Sequence, residues 1–185
     1  MKQGCRILIF TLVLVAFYCL GSSVMRAQGT SGNTEPSLKL QTLDGKVVDL
    51  AQSRGSVVLI SFGATWCAPC TTELHALEEL LAEYRTKPVK FFWVSIERPD
   101  EVSNGELRRY ARTRRVTFPV LRDTDKMVFL QFTPRVRLPM ILFLAKDGHI
   151  DAPVKFGMQS QTEAYKTEMR ARLNKLLGSS SEGDR

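Results

Sequence analysis

Between Leu38 and Leu50 the chain reads LKLQTLDGKVVDL, with apolar and polar positions alternating on both sides of Asp44-Gly45. This period of two, repeated about a two-residue turn, predicts a β-hairpin. Val57–Phe62 (VVLISF) is instead a continuous, β-branched run bounded by glycines, the pattern of a strand covered on both faces. From Cys67 the period changes again, and Leu74, Leu77, Leu80 and Leu81 fall on one face of a helix. Residues 89–96 (VKFFWVSI) predict a second buried strand. Strand, helix and strand in this order imply a parallel pair with a right-handed crossover.

Ser103-Asn104-Gly105-Glu106 is a capping-box signature, and Leu107, Tyr110 and Ala111 form the apolar face of the helix it opens. Residues 118–121 (FPVL) predict a short extended piece and Lys126–Gln131 a short helix. Residues 139–144 (PMILFL) and 154–156 (VKF) flank a turn at Asp147-Gly148 and predict an antiparallel pair. Ser160 then caps a last helix whose inward residues are Tyr165, Met169, Leu173 and Leu176. The elements add up to an α/β domain with a mixed sheet and helices on both faces.

The ends read differently. Lys2 and Arg6 precede an uncharged apolar run from Ile7 to Leu20, followed by small residues, the layout of an export signal. The run is shorter than the roughly 20 residues of a membrane span, which favours cleavage after Ser23 or Ala27; extension through Val24 and Met25 would make residues 7–25 an anchor. Phe17-Tyr18 before Cys19 argues against lipidation. Residues 1–27 are thus read as signal peptide or membrane anchor, 28–36 as flexible linker, 37–177 as the folded domain and 178–185 as a disordered tail. Of the 26 Lys and Arg against 19 Asp and Glu, Lys2, Arg6 and Arg26 belong to the N-terminal stretch, so the remainder carries 23 against 19. That mild excess gives no basis for a nucleic-acid partner. The arginines at 108, 109, 112, 114 and 115 read as a solvated helix face.

Two of the four cysteines, Cys5 and Cys19, lie in the leader, which leaves Cys67 and Cys70 in the domain. A structural zinc site needs four ligands, and His75 and His149 do not stand at a matching spacing. Haem attachment needs a histidine where Thr71 stands. A structural disulfide or a redox pair remains. Cys67 falls where a strand ends and a helix begins, where the free amides and dipole of the first turn favour a thiolate. Cys67 is therefore the candidate nucleophile and Cys70, one turn deeper, the resolving thiol.

The surroundings carry a resemblance. LDGKVVDL, VVLISFGATWCAPC, FPVLRDTD and LPMILFLAKDGHI occur in an order and spacing similar to the thioredoxin superfamily, in particular its exported TlpA/ResA-type thiol-disulfide oxidoreductases, over about residues 37 to 177. The resemblance implies a thioredoxin fold, a central mixed β-sheet flanked by helices, with the hairpin as an N-terminal extension. It implies a redox-active Cys67–Cys70 disulfide faced by a cis-proline at Pro139, with Trp66, Pro69 and Leu138 completing the substrate surface. A cis bond at Leu138-Pro139 would turn the Leu138 backbone toward an extended substrate segment. The function implied is extracytoplasmic reduction of exported protein disulfides such as apocytochrome c, by a monomer without metal or cofactor recharged by a membrane thiol carrier.

The chain also departs from the family. Gly63 stands where tryptophan is frequent, His75 where a helix-kinking proline is frequent and Met140 where threonine often follows the cis-proline; Ser61 replaces the buried aspartate of thioredoxin proper. Proton management for Cys70 then falls to Glu97, at the end of the second strand, with Asp100 and Glu101 as alternatives if the alignment slips. His75 reads as a helix-surface residue. Two rival functions remain. A peroxiredoxin-like peroxidase is suggested by CTTEL from Cys70 but opposed by Gly63 and Cys67 at its defining positions and by Pro139. A non-enzymatic binding module would hold a permanent disulfide and gain nothing from Trp66 or Pro69.

Overall fold

The computed structural model describes residues 36–179. Leu40 on β1 (Lys39–Thr42) pairs with Val48 on β2 (Val47–Asp49), and Gly45 takes the left-handed backbone, φ 88°, that the turn requires. A 3₁₀ turn, Leu50–Gln52, leads to β3 (Val57–Gly63), which is buried along its whole length. Helix α1 (Ala68–Glu83) crosses over to β4 (Val89–Ser95), parallel to β3. Helix α2 (Asn104–Thr113) crosses in turn to β5 (Val120–Arg122), parallel to β4. After a second 3₁₀ turn, Phe129–Gln131, β6 (Met140–Leu144) runs antiparallel to β3, β7 (Ile150–Phe156) antiparallel to β6, and α3 (Thr162–Gly178) ends the domain. The sheet has seven strands in the order β2-β1-β5-β4-β3-β6-β7, the mixed, thioredoxin-like arrangement with an N-terminal hairpin that the sequence implied.

Alternation along β3 divides the core. Val58, Ile60 and Phe62 join Leu121, Phe129 and Leu142 on one face, where both 3₁₀ turns pack. Val57 and Leu59 join Leu77, Leu107, Trp93 and Tyr165 on the other, where all three α-helices pack. The flanking helices therefore divide unevenly, α on one face and single 3₁₀ turns on the other.

Three local expectations need correction. The helix expected over Lys126–Gln131 is a single 3₁₀ turn, because Lys126 sits at φ 57° and the buried Asp123 carboxylate takes the Val128 and Phe129 amides at 3.2 and 2.8 Å. Strand β7 begins at Ile150 and runs through Pro153, where its register with β6 shifts; β7 is an edge strand, where a missing amide is tolerated. The N-cap of α3 is Gln161 without a side-chain bond, not Ser160. Glu163 in its first turn and the buried Tyr165, Met169, Leu173 and Leu176 hold that helix instead. The capping box at Ser103 and Glu106 is complete. The expectations for the leader, for residues 28–35 of the linker and for residues 180–185 of the tail lie outside the described residues. No helix among the described residues is long and apolar enough to cross a membrane.

Candidate active site

Strand β3 ends at Gly63, and the chain turns through Ala64–Trp66 into α1. Cys67 is the N-cap, in extended conformation, and its Sγ accepts the Cys70 amide at 3.2 Å. Pro69 in the first turn costs no intrahelical bond there. Cys67 and Cys70 form a disulfide with Cα atoms 5.3 Å apart; Cys67 is 5 % exposed and Cys70 fully buried. The first helical turn aims its amides and dipole at Cys67, the environment that favours a thiolate over a thiol. Trp66, 67 % exposed, stands at the surface beside it.

The Leu138-Pro139 peptide is cis. The β3–β6 register pairs Phe62 with Met140, so Pro139 comes next to Gly63, at the strand end that leads to the cysteines. The Pro139 carbonyl accepts the Gly157 amide at 2.8 Å, which fixes this corner to β7. Leu138 is half-buried against the cluster that includes Cys67, Cys70 and Met140. Leu138 and Pro139, leading into β6, thus come to the end of β3 from which Trp66, Cys67 and Pro69 follow.

Glu97, just beyond β4, is almost fully buried. Its carboxylate accepts the Thr65 amide at 2.8 Å, the Thr65 hydroxyl at 2.6 Å and the Ser95 hydroxyl at 3.1 Å. The buried Arg122 guanidinium donates to the Glu97 and Val102 carbonyls and to Asn104 Oδ1. Glu97 therefore ties the Thr65 loop, two residues before Cys67, to the sheet. Its alternatives are turned elsewhere: the exposed Asp100 pairs with Arg98, and Glu101 accepts the Arg98 amide at 2.8 Å. The Arg98 guanidinium, bonded to the carboxylate, and the backbone amides of Asp100 and Glu101 hold the Asp100 carboxyl below its usual range. His75 is on the exposed side of α1.

A second carboxylate escaped the sequence reading. Glu73 on α1 is fully buried, its oxygens accepting the Ser61 hydroxyl at 2.5 Å and the Tyr165 hydroxyl at 2.9 Å. Burial pushes its carboxyl from 4.5 up to about 7, against the opposing pull of the two hydroxyls and Lys155. Burial and the adjacent Glu73 push the Tyr165 hydroxyl well above its usual range, so it serves as a donor. The signal was present: Cys70, Glu73, Leu74 and Leu77 follow the i, i+3, i+4, i+7 spacing, so one acidic residue stands in the apolar stripe. Ser61, where thioredoxin proper has its aspartate, here faces a carboxylate supplied by the helix.

Gly63 has a comparable explanation. A Cβ built there would come within 2.6 Å of Trp93 Nε1 and 3.4 Å of Cys70 Cβ. Trp93, on β4 opposite Ser61, lays its indole over Gly63 and stacks on Tyr110 of α2 at 5.4 Å. The Tyr110 hydroxyl in turn meets Thr71 Oγ1 at 2.9 Å. The neighbouring strand thus fills the space that a side chain on β3 would occupy. Among the described residues no three His, Cys, Asp or Glu side chains group as metal ligands.

Known proteins resemble this arrangement. Residues 31–152 match the model of the AhpC/TSA family. The thioredoxin-like protein YneN of Bacillus subtilis (strain 168) is 38% identical over 94 residues, covering 50% of this chain and 53% of YneN; the chain thus spans about half of that relative's length. The thiol-disulfide oxidoreductase ResA of Bacillus thuringiensis subsp. konkukian (strain 97-27) is 25% identical over 168 residues, covering 85% of this chain and 94% of ResA. Among solved structures, a thiol:disulfide interchange protein of the thioredoxin family from Chlorobium tepidum superposes with a TM-score of 0.61 at 21% identity, over 78% of this chain and 95% of that one.

Proposed function

The chain belongs to the AhpC/TSA family of thioredoxin-like proteins, and from that premise we propose that it is an extracytoplasmic thiol-disulfide oxidoreductase that reduces disulfides of exported proteins, apocytochrome c among them. The observation that carries the reading is the placement of the two cysteines: Cys67 caps α1 and is 5 % exposed, Cys70 is fully buried three residues further along, and one helical turn after it comes the buried Glu73, whose carboxyl burial pushes up to about 7. The reaction follows from that asymmetry. In the dithiol form the Cys67 thiolate attacks one sulfur of a substrate disulfide, forming a mixed disulfide and releasing the other substrate sulfur as a thiolate. The Cys70 thiol then passes its proton to Glu73, and its thiolate attacks Cys67 Sγ. The second substrate thiolate leaves, and two electrons have moved from the protein dithiol to the substrate. A membrane thiol carrier returns the protein to the dithiol form by the same exchange in reverse.

Trp66, Pro69, Leu138 and Pro139 form the surface on which the substrate segment lies, paired along the Leu138 backbone as an added strand. Glu97 holds the Thr65 loop, and with it Cys67, in register. The apolar run Ile7–Leu20 behind Lys2 and Arg6 supports export.

Trapping tests the reading. Cys70→Ser should accumulate mixed disulfides on Cys67 with exported proteins, and Cys67→Ser should accumulate almost none. A reporter fused after residue 36 should lie outside the cytoplasm. Equal trapping by the two variants, or consumption of peroxide faster than reduction of a protein disulfide, would overturn the assignment.

A further inference from the structure

Trp93 is fully buried, and its indole N–H has no hydrogen-bond partner among the described residues. An unpaired N–H in a protein interior is a net cost, because the water it gave up is not replaced. This one lies at the site: Nε1 and Cys70 Cβ fall within 2.6 and 3.4 Å of a single point, the position of the absent Gly63 Cβ. The stack on Tyr110, itself bound to Thr71 of α1, keeps the ring in place beneath the first helical turn.

We propose that the Trp93 N–H is the hydrogen-bond donor to the Cys70 sulfur once the disulfide opens, and so stabilises the Cys70 thiolate that resolves the mixed disulfide. In the oxidised protein Cys70 Sγ is committed to Cys67. When that bond is reduced, each sulfur gains a proton or a negative charge, and Cys70 Sγ is released to rotate about its own Cα–Cβ bond. With glycine at position 63, no side chain stands between the indole nitrogen and Cys70, and a side chain there would come against both, so Gly63 and Trp93 act as one device. Glu73 takes the proton in this scheme, and Trp93 holds the charge left behind. Hydrogen bonds to charged groups are the strong ones, and a thiolate in an apolar setting is otherwise unfavourable.

The inference takes its purpose from the exchange reaction proposed above, but its test needs no substrate, so the two can fail separately. Trp66 and Trp93 are the two tryptophans of the chain, and Trp66→Phe assigns their indole N–H resonances. In ¹⁵N-labelled full-length protein, reduction should move the Trp93 indole proton downfield, and across a pH series that signal should titrate together with Cys70. Mass-mapped alkylation rates against pH resolve Cys70 from Cys5, Cys19 and Cys67; in Cys67→Ser, adding Trp93→Phe should raise the Cys70 pKa by about one unit, the worth of one charge-assisted hydrogen bond. An indole signal that ignores both reduction and the Cys70 titration would overturn the proposal even if Trp93→Phe failed to fold. An unchanged Cys70 pKa in a folded Trp93→Phe protein would do the same.

Discussion

Replacing Glu73 with Gln should make the protein more stable at pH 8 and leave it nearly unchanged at pH 4. In the folded chain the carboxyl titrates at about 7 rather than 4.5 because burial disfavours its charge. Between these values the unfolded chain has released the proton and the folded chain still holds it. Stability from this group is therefore fully present below pH 4.5 and is lost as pH rises through about 7. The separation of the two values amounts to about 3 kcal/mol, since each unit is worth ~1.4 kcal/mol. Glutamine resembles the protonated acid in size and neutrality, and its amide can both donate and accept between Ser61 and Tyr165. Urea unfolding of the oxidised proteins at half-unit steps from pH 4 to 8 gives the difference between wild type and Glu73→Gln directly. Other titrating groups, such as the buried Asp123, cancel in that difference. The gain should grow from near zero at pH 4 to roughly 3 kcal/mol at pH 8, with most of the change below pH 7. Parallel curves would show that Glu73 is not held protonated by burial, and the proton path assigned to it would fall as well. In exchange assays the same variant should lose the rise of the resolving step through pH 7 while the attack by Cys67 is spared.

Two further substitutions separate neighbouring roles. Glu97→Gln should slow attack by Cys67 without moving the pH midpoint of resolution, because it loosens the Thr65 loop, whereas Asp100→Asn and Glu101→Gln should change stopped-flow exchange rates little; a shifted midpoint in Glu97→Gln would return the acid-base role to that residue. Gly63→Ala should cost about 1–3 kcal/mol by overpacking against the rigid indole, and less than about half of that when Trp93 is also Leu; equal costs in the two backgrounds, read from urea midpoints, would mean that Trp93 is not what excludes the side chain.

Much of the fold was legible because the periods were strong and local. The Asp44-Gly45 hairpin, the buried run of β3 and the Ser103 capping box each declare themselves within a dozen residues, and each forms in place. Cys67 and Cys70 were legible for the same reason, since their meaning depends on a strand-to-helix junction that the pattern marks. The failures have other causes. At Lys126 a side chain competes with the helix: the buried Asp123 carboxylate captures the Val128 and Phe129 amides, and Lys126 takes a left-handed backbone; Pro153 is admitted to a strand only because β7 is an edge. Glu73 was missed because helical spacing was read for apolar residues, while a carboxylate in the stripe becomes tolerable only with Ser61 and Tyr165 as donors, 12 and 92 residues away.

Gly63 is the clearest instance of this division. In sequence it is a departure beside the WCAPC motif and points to nothing. In the fold it is required by Trp93, 30 positions further along, whose indole arrives from the adjacent parallel strand. The position that a side chain on residue 63 would take is occupied from the neighbouring strand, so the indole nitrogen found there belongs to β4. Long-range packing of this kind decides which atoms lie near the cysteines without altering the fold, so likeness in fold does not by itself carry likeness in redox behaviour. In the scheme proposed above, the cysteine pair sets the reaction, and Glu73 and Trp93 set the ease with which Cys70 takes its turn in it.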